Sequence, residues 1–272
     1  EAQAEGVGKR GIQALMATSY SKATIGADRN QKSFKYSLEK FLQVRGADTI
    51  IAQGRKKKAR NPDFYAALER QYGVPAGVLL AIHGMETGFG GFMGDTNVVS
   101  AIATLAYDCR RSDFFTPHLI AALRLVDQGT ISTASVGAKH GELGHTQFLP
   151  GNALTYGVDG DGDGRVDLSG VTDAMASTAH YLAQKGWQRG RDWGFEVIIP
   201  ANVSCAQEGP DLARPMADWA ATGLAARVWV EVGADVLWGR FRLIAAAPRG
   251  IATSGLPPRA GCLRPSATCC AR

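Results

Sequence analysis

A seven-residue segment near the middle of the chain, residues 159–165, alternates acidic residues with glycines. Asp159, Asp161 and Asp163 take positions 1, 3 and 5, and Gly164 takes position 6, which is the arrangement in which an EF-hand loop wraps Ca²⁺. Without a counter-ion these carboxylates would repel one another, and a bound cation relieves that repulsion. The segment therefore predicts a loop that binds calcium.

The pattern departs from an ordinary EF-hand loop at its last ligand. Position 12 holds Gly170, where the ordinary loop supplies a bidentate glutamate. Asp173 follows three residues later, at the start of a predicted helix, and would close a longer loop. The alternative is a solvated acidic turn without a metal ion.

Helical spacing of apolar residues dominates the centre of the chain. Such segments, bounded by Gly, Pro, Asp, Asn or Ser, predict helices over residues 61–72, from Pro75 to the glycines at 88–91, and over 98–107, 115–128 and 172–185. Two apolar, β-branched runs predict short strands at 195–199 and 228–232. The centre is therefore mainly α, and the texture changes near Gly194.

These patterns predict three regions. We expect an N-terminal helical segment over residues 1–60 that packs on a core over 61–193. The C-terminal segment, 194–272, is expected to be partly β and less regular. Its tail, 260–272, has no periodic apolar pattern, and we expect it to be poorly packed.

Composition narrows the class of protein. The 272 residues suffice for a substantial core, and 45% hydrophobic with 20% charged residues excludes a disordered chain and a coiled coil. No run reaches the roughly 20 apolar residues that cross a bilayer.

The net charge of +5 favours an anionic partner. The basic cluster at 55–60 lacks the interleaved aromatics of a nucleic-acid groove, so we interpret it as a solvated surface turn and expect no nucleic acid.

The cysteines and the first residues carry little information. The five cysteines show neither Cys-x-x-Cys nor Cys/His zinc spacing, so metal binding through sulfur is not expected. No basic segment followed by an apolar run opens the sequence. This leaves open both a cytosolic chain and the mature form of an exported one.

A glutamate at the end of an apolar helix is the first candidate catalytic residue. Residues 84–90 read Gly-Met-Glu-Thr-Gly-Phe-Gly, and Glu86 is the glutamate. Burial raises the pKa of a carboxylic acid, which is what a general acid near neutral pH requires. The glycines lack Cβ and allow a bulky ligand to approach closely. A capped or ion-paired structural glutamate is the alternative.

A second motif, residues 141–150, crowds glycines, a hydroxyl, an amide and an aromatic ring into one short stretch. Gln147 can both donate to and accept from a ligand. Phe148 can either stack on a sugar ring or pack in the core. Such a loop can line a cleft, and the alternative is a connection in which Gln147 satisfies backbone groups.

Several motifs then follow one another in a characteristic order over about residues 28–193. They are Tyr-Gly-Val-Pro at 72–75, Met-Glu-Thr at 85–87, Ala-Ile-Ala-Thr-Leu-Ala at 101–106, Arg-Arg at 110–111, Gly144 with Gln-Phe-Leu-Pro at 147–150, the aspartate loop, and Gly-Trp at 186–187. In these motifs the chain resembles the membrane-bound lytic transglycosylase B family of bacterial peptidoglycan enzymes.

This resemblance implies a lysozyme-like α-domain that cleaves the β-1,4 bond between N-acetylmuramic acid and N-acetylglucosamine. The family does so without water and leaves a 1,6-anhydro sugar. Glu86 matches its single catalytic glutamate, which acts first as acid and then as base. Further matches to residues near the glycan or its peptide are Gln147, Phe148, Tyr156, Tyr181, Arg110 and Arg111. The implied ligands of a structural Ca²⁺ are Asp159, Asp161, Asp163, the Arg165 carbonyl and Asp173.

The same resemblance implies the partners and the location. It implies peptidoglycan glycan strands as the partner, a monomeric chain and a periplasmic location. It also implies outer-membrane association through a peripheral or lipid-anchored segment outside this sequence.

The chain also departs from the family. Ala138, Lys139 and His140 occupy the region where relatives have a small hydroxyl residue, and Phe114 stands where relatives often have tyrosine. No counterpart of the family's Tyr-Asn segment occurs between residues 233 and 272. Two alternatives therefore stay open: a muramidase that uses water, and a catalytically impaired peptidoglycan-binding protein.

Overall fold

A computed structural model gives the fold of the chain. It describes residues 2–30, 36, 38–191, 194, 197–198, 200, 203, 214–223, 225–226 and 240–241. The predicted strand at 228–232, the tail at 260–272 and four of the five cysteines lie outside the described residues. Cys109 is described and is exposed.

The described chain is mainly helical, as predicted. Its helices are α1 (Lys9–Met16), α2 (Lys22–Arg29), α3 (Leu38–Arg45), α4 (Ala47–Arg60), α5 (Pro62–Tyr72), α6 (Ala76–Thr87), α7 (Val98–Tyr107), α8 (Ser112–Gln128), α9 (Pro150–Tyr156), α10 (Val171–Gln184) and α11 (Met216–Ala221). The two-residue strands are β1 (Thr96–Asn97), β2 (Val136–Gly137), β3 (Val197–Ile198), β4 (Arg214–Pro215), β5 (Ala225–Ala226) and β6 (Arg240–Phe241). They pair antiparallel as β1 with β2, β3 with β5 and β4 with β6.

The chain divides into two compact units. One contains Glu1–Tyr36 and Lys40–Arg191, and the other contains Ser37–Glu39 and Asp192–Arg272. The three-region division stays a prediction, although the change of unit falls close to the change in texture near Gly194. Among the described residues, no helix combines the length and the apolar character that crossing a membrane requires.

Local sequence explains where the central helices begin and end. Pro62 opens α5, where its missing N–H costs nothing, and Gly73 ends it in the left-handed conformation with φ +76°. Asn97 caps α7, because its side chain accepts a hydrogen bond from the Ser100 N–H. Helices α5 to α8 and α10 confirm the five predicted helical segments to within about three residues.

The basic cluster at 55–60 is a correction to the sequence analysis. It lies in the last turns of α4 and is therefore not a turn. Lysine and arginine are good helix formers, and cations interact favourably with the carboxyl end of a helix. Of the predicted strand at 195–199, the described part is the two-residue strand β3.

Two neighbouring parts of the first unit's core position the candidate site. Leu79 of α6 and Met175 of α10 are fully buried in one cluster, which fixes α6. Leu143 and Phe148 belong to a second cluster with Leu125 of α8, which fixes the 141–150 loop. Each fully buried side chain of this size contributes about 1.5–3 kcal/mol. The candidate catalytic helix and the candidate cleft loop are therefore anchored independently.

Candidate active site

The candidate catalytic carboxyl lies in the last turn of α6. His83 and Thr87 of this turn are buried, whereas Glu86 is exposed. Gly88 ends the helix in the left-handed conformation with φ +58°, which glycine adopts at little cost. The helix end is therefore held in the protein by His83 and Thr87, while the Glu86 side chain stays accessible to solvent.

Surrounding protein atoms change the acidity of Glu86 even though solvent reaches the side chain. The pKa of Glu86 is raised, mainly by desolvation, and the negative charge of Glu142 raises it further. The positive charge of Arg45 opposes both effects. A raised carboxyl pKa favours the protonated form that a general acid needs.

Glu142, the second carboxyl that acts on Glu86, is held by His140. One Glu142 oxygen accepts a hydrogen bond from the His140 N–H at 3.1 Å, and the other lies 3.3 Å from His140 Nδ1. Desolvation acts to raise the pKa of Glu142, but the hydrogen bonds from His140 and from the Glu142 backbone, together with the charge of His140, outweigh it and leave that pKa lowered. Glu142 therefore favours the ionised state.

A buried histidine pair joins α6 to the 141–150 loop. His83 Nε2 lies 2.9 Å from His145 Nδ1, and the two rings meet edge to face. Desolvation, followed by the charges of His145 and Lys57, lowers the pKa of His83 to about 4. Desolvation also lowers the pKa of His145. Both rings are therefore neutral near pH 7.

Thr87 adds a second connection between the same two segments. Its hydroxyl donates to the His145 carbonyl at 2.7 Å and accepts from the Gly90 N–H at 2.9 Å. Gly90 has φ +85°, and a Cβ at this position would lie 2.3 Å from His145 Cε1. The glycine after the helix is thus required both by its backbone conformation and by the ring that packs on it.

Gln147 is fixed in the loop by its amide nitrogen. Nε2 donates to the Gly144 carbonyl at 2.8 Å and to the Met93 carbonyl at 3.3 Å. Because both partners are acceptors, the amide orientation follows from the chemistry. Its Oε1 accepts no hydrogen bond from the described residues and is available to a ligand. Gln147 also has φ +56°, a conformation that non-glycine residues seldom adopt.

The predicted aromatic residues form one cluster with a buried member. Phe148 is 6% exposed and packs in the core, which favours packing over stacking on a sugar. Tyr181 contacts both Phe148 and Tyr156 edge to face, with ring centroids at 5.7 and 5.1 Å. The Lys185 ammonium lies 5.1 Å from the Tyr156 centroid. Both tyrosines are half-buried, so they retain surface that a ligand can reach.

The two predicted arginines both bind Asp28, which is 2% exposed. Arg110 Nε lies 3.1 Å from one carboxylate oxygen, and Arg111 bonds the other. The Arg111 guanidinium also lies over the Phe115 ring. Their positions are thus explained by a buried ion pair, and contact with a glycan or its peptide stays a prediction. Phe114, one of the departures from the family, is 52% exposed.

The acidic loop brings three of its predicted ligands together. Single carboxylate oxygens of Asp159, Asp161 and Asp173 lie within 4.8 Å of one another. Asp163 is not in that group, and its Oδ1 accepts a hydrogen bond from the Arg165 N–H at 2.8 Å. The hydrogen bond from the Asp163 N–H acts to lower the pKa of Asp161, but desolvation and the charges of Asp173, Asp163 and Asp159 leave it raised. Negative charge therefore accumulates at this loop.

Sequence reasoning missed the set formed by His83, Thr87 and His145. The two histidines are 62 positions apart, and no periodic pattern connects a helix to a distant loop. The available signal was a histidine on the apolar face of α6, which predicts burial but no partner.

Comparison with known proteins gives consistent results. The family model described as "Transglycosylase SLT domain" matches residues 1–236. Over 133 residues the chain is 36% identical to membrane-bound lytic murein transglycosylase B of Escherichia coli (strain K12). This aligned stretch covers 48% of the present chain and 36% of the E. coli protein. The chain thus spans about a third of the length of this curated relative.

Solved structures share the fold. SltB3 from Pseudomonas aeruginosa, in complex with NAG-anhNAM-pentapeptide, superimposes with a TM-score of 0.77 at 32% identity, over 90% of this chain and 66% of that one. The Escherichia coli lytic transglycosylase Slt35, in complex with calcium, gives a TM-score of 0.70 at 24% identity, over 85% and 72%. These structures confirm the predicted mainly α, lysozyme-like fold, and the calcium loop stays a prediction.

Proposed function

We propose that the chain, which belongs to the transglycosylase SLT domain family, is a peptidoglycan lytic transglycosylase. Its substrate would be the β-1,4 bond between N-acetylmuramic acid and N-acetylglucosamine. SltB3, which is 32% identical, was solved with a NAG-anhNAM-pentapeptide, and this supports a muropeptide ligand. The partner would be a peptidoglycan glycan strand, bound by a monomeric chain in the periplasm. The E. coli relative named above is described as membrane-bound, which supports an association with the membrane for this chain too.

In the proposed mechanism Glu86 first donates a proton and then accepts one. Glu86 protonates the glycosidic oxygen, and the bond from that oxygen to C1 of the muramic acid breaks. The C6 hydroxyl of the same sugar then attacks C1 and gives its proton to the ionised Glu86. The reaction consumes no water, forms a 1,6-anhydro bond and regenerates the protonated acid.

The family match over residues 1–236 is the observation that carries this proposal, and the raised pKa of Glu86 agrees with its role as the acid. An acid that is too strong is ionised at neutral pH and has no proton to donate, and desolvation raises the pKa of Glu86 in the direction that a general acid needs. The state of Glu142 supports an internal hydroxyl over water as nucleophile. Both of its oxygens are engaged by His140, and its lowered pKa makes it a weak base for activating water.

Gln147 would orient the substrate. Its free Oε1 is an acceptor, so it suits a hydroxyl or an acetamido N–H of a sugar. Tyr156 and Tyr181 would offer ring surface close by, whereas Phe148 would support them from the core.

Digestion of purified sacculi tests the function. We expect products that end in 1,6-anhydro-N-acetylmuramic acid, one water lighter in mass than the hydrolysis product. Glu86→Gln removes the transferable proton and keeps the shape, so it should lower the rate by about 10²–10⁴-fold. Glu69→Gln, on an exposed glutamate of α5, is the matched control and should leave the rate unchanged.

Three other outcomes would overturn parts of this proposal. Reducing muramic acid as the sole product would move the protein to the hydrolase class. Binding to sacculi without released muropeptides would favour an impaired, binding-only protein. Parental activity in Glu86→Gln would remove Glu86 from the mechanism.

We further propose that the acidic loop holds a structural Ca²⁺. The residues fit such an ion, because every side-chain donor is a hard carboxylate oxygen. Asp173 is 3% exposed and makes no ion pair with a described residue; its oxygens accept the Gly160 and Asp167 N–H groups. Asp159, Asp161 and Asp173 would supply ligands, joined by Asp163 and the Arg165 carbonyl. Slt35, a fold relative, was solved with calcium.

A further inference from the structure

Two segments that carry candidate catalytic and binding groups meet through buried polar contacts. Glu86 belongs to the last turn of α6, and Gln147 belongs to a loop about 60 residues later. Among the described residues, no hydrogen bond joins the Glu86 side chain to the loop. None joins the Gln147 side chain to α6. The connection runs instead through His83 and Thr87 on one side and His145 on the other.

We propose that Thr87 and the His83–His145 pair are positioning residues that set the Glu86 carboxyl relative to Gln147. This inference rests on the proposed function, in which Glu86 transfers protons and Gln147 orients the sugar. None of the three residues is itself catalytic, because all three side chains are buried whereas Glu86 is exposed.

The hydroxyl of Thr87 is the central element of this arrangement. Thr87 is adjacent to Glu86 in the chain. Its hydroxyl donates to the His145 carbonyl in the loop and accepts from the Gly90 N–H in the glycine turn, so it joins these two segments. The His83 carbonyl lies farther from the hydroxyl, at 3.3 Å, so the bond across to the loop is the better donor interaction. A buried hydroxyl shared in this way fixes three backbone segments with one side chain.

The histidine pair has one favourable protonation pattern. His83 Nδ1 is buried and has no hydrogen-bond partner. An unpaired buried N–H is less tolerable than an unpaired acceptor, so we assign the proton of His83 to Nε2, which donates to His145 Nδ1. His145 then carries its own proton on Nε2. The pair is a directed hydrogen bond between two neutral rings, and it fixes both ring orientations.

A group of three variants tests the role of Thr87. Thr87→Val keeps the shape and removes the hydroxyl, and Thr87→Ser restores a hydroxyl. Thr104→Val is the matched control, because Thr104 is also a buried helical threonine that donates to the carbonyl four residues earlier and accepts a distant backbone N–H. Thr104 belongs to α7, and among the described residues its hydroxyl is hydrogen-bonded to Ser21 and Ser100 and to neither Glu86 nor the 141–150 loop.

At a temperature where all variants are folded, Thr87→Val should lower kcat on sacculi by about tenfold or more, because small displacements of a reacting group are costly. KM should change less than kcat, and Thr87→Ser should recover most of the loss. Thr104→Val should lower the melting temperature to a similar degree and leave kcat unchanged. Equal kcat in Thr87→Val and Thr104→Val would overturn the proposal.

A second readout does not depend on turnover. The titration of Glu86 can be followed by ¹³C NMR of labelled glutamate, with Glu86→Gln identifying the signal. Thr87→Val should move the Glu86 pKa from the parental value, and Thr104→Val should leave it unchanged. If the parent releases no muropeptides, the proposed function fails, but the titration still tests the positioning role. An unchanged Glu86 pKa in Thr87→Val would refute that role.

Discussion

Burial of His83 makes the stability of the protein depend on pH. Its pKa is about 4 in the folded protein, lowered by desolvation, by His145 and by Lys57, against an ordinary value of 6.5. Between these two pH values the unfolded chain binds the proton and the folded chain does not. The stabilisation is therefore complete above pH 6.5 and is lost progressively as the pH falls toward 4.

We expect His83→Gln to weaken this acid sensitivity. Each pH unit in this window removes up to about 1.4 kcal/mol through a group that titrates only in the unfolded state. The free energy of unfolding, measured with urea at pH 7 and pH 5, should therefore fall less in the variant than in the parent. The carboxylates contribute to both proteins alike, so the difference reports on His83. Identical falls in the two proteins would show that His83 is protonated as easily when folded as when unfolded.

Single residues also show how far sequence reasoning reaches. Glu86 could be named as a candidate because an acidic residue between an apolar helix and a run of glycines is a chemically unusual combination, and its catalytic role stays a prediction. Phe148 was not decidable, since the same ring suits a sugar or a core, and its burial depends on where Tyr181 lies. The partners of Arg110 and Arg111 were also out of reach, because Asp28 is more than 80 positions away.

At the scale of elements, the end of α6 depends on two glycines for different reasons. Gly88 has φ +58° with no atom within 4 Å of a built Cβ, whereas at Gly90 a Cβ would collide with the His145 ring. Gly88→Ala should therefore cost only the left-handed backbone conformation, about 1–2 kcal/mol. Gly90→Ala adds overpacking of about 1–3 kcal/mol. Chemical denaturation of the two variants measures the difference, and equal losses would mean that the ring moves aside freely.

The accuracy of the helix predictions also has a physical basis. Helices α5, α7 and α10 combine apolar periodicity with strong boundary residues, and these signals are local in sequence. The basic cluster at the end of α4 was misassigned because charge was taken as a sign of a turn, whereas lysine and arginine favour helices. The association of α6 with the 141–150 loop is a tertiary contact, which no local pattern encodes.

At the scale of the whole molecule, the acidic loop would make the free energy of unfolding depend on the binding of a metal ion. Asp159 and Asp161 lie before α10 and Asp173 lies within its first turn, so a bound ion would fasten the loop to the helix that supplies Ala174 and Met175 to the core. An ion that binds only the folded state stabilises it by about 2.7 kcal/mol at a hundredfold excess over Kd. Loss of the ion would thus be felt by the core and not by the loop alone.

We therefore expect the melting temperature of metal-stripped protein to rise by roughly 5–10 °C with saturating Ca²⁺ and to fall back with a chelator. Asp161→Asn removes one ligand charge and should abolish most of this response. Asp163→Ala should blunt it if Asp163 turns from the Arg165 N–H toward the ion. Asp63→Asn, an exposed acidic residue in the first turn of α5, is the control and should respond to calcium as the parent does. A melting temperature that calcium leaves unchanged would mean that the aspartates form a solvated turn, with the repulsion among them screened by water alone.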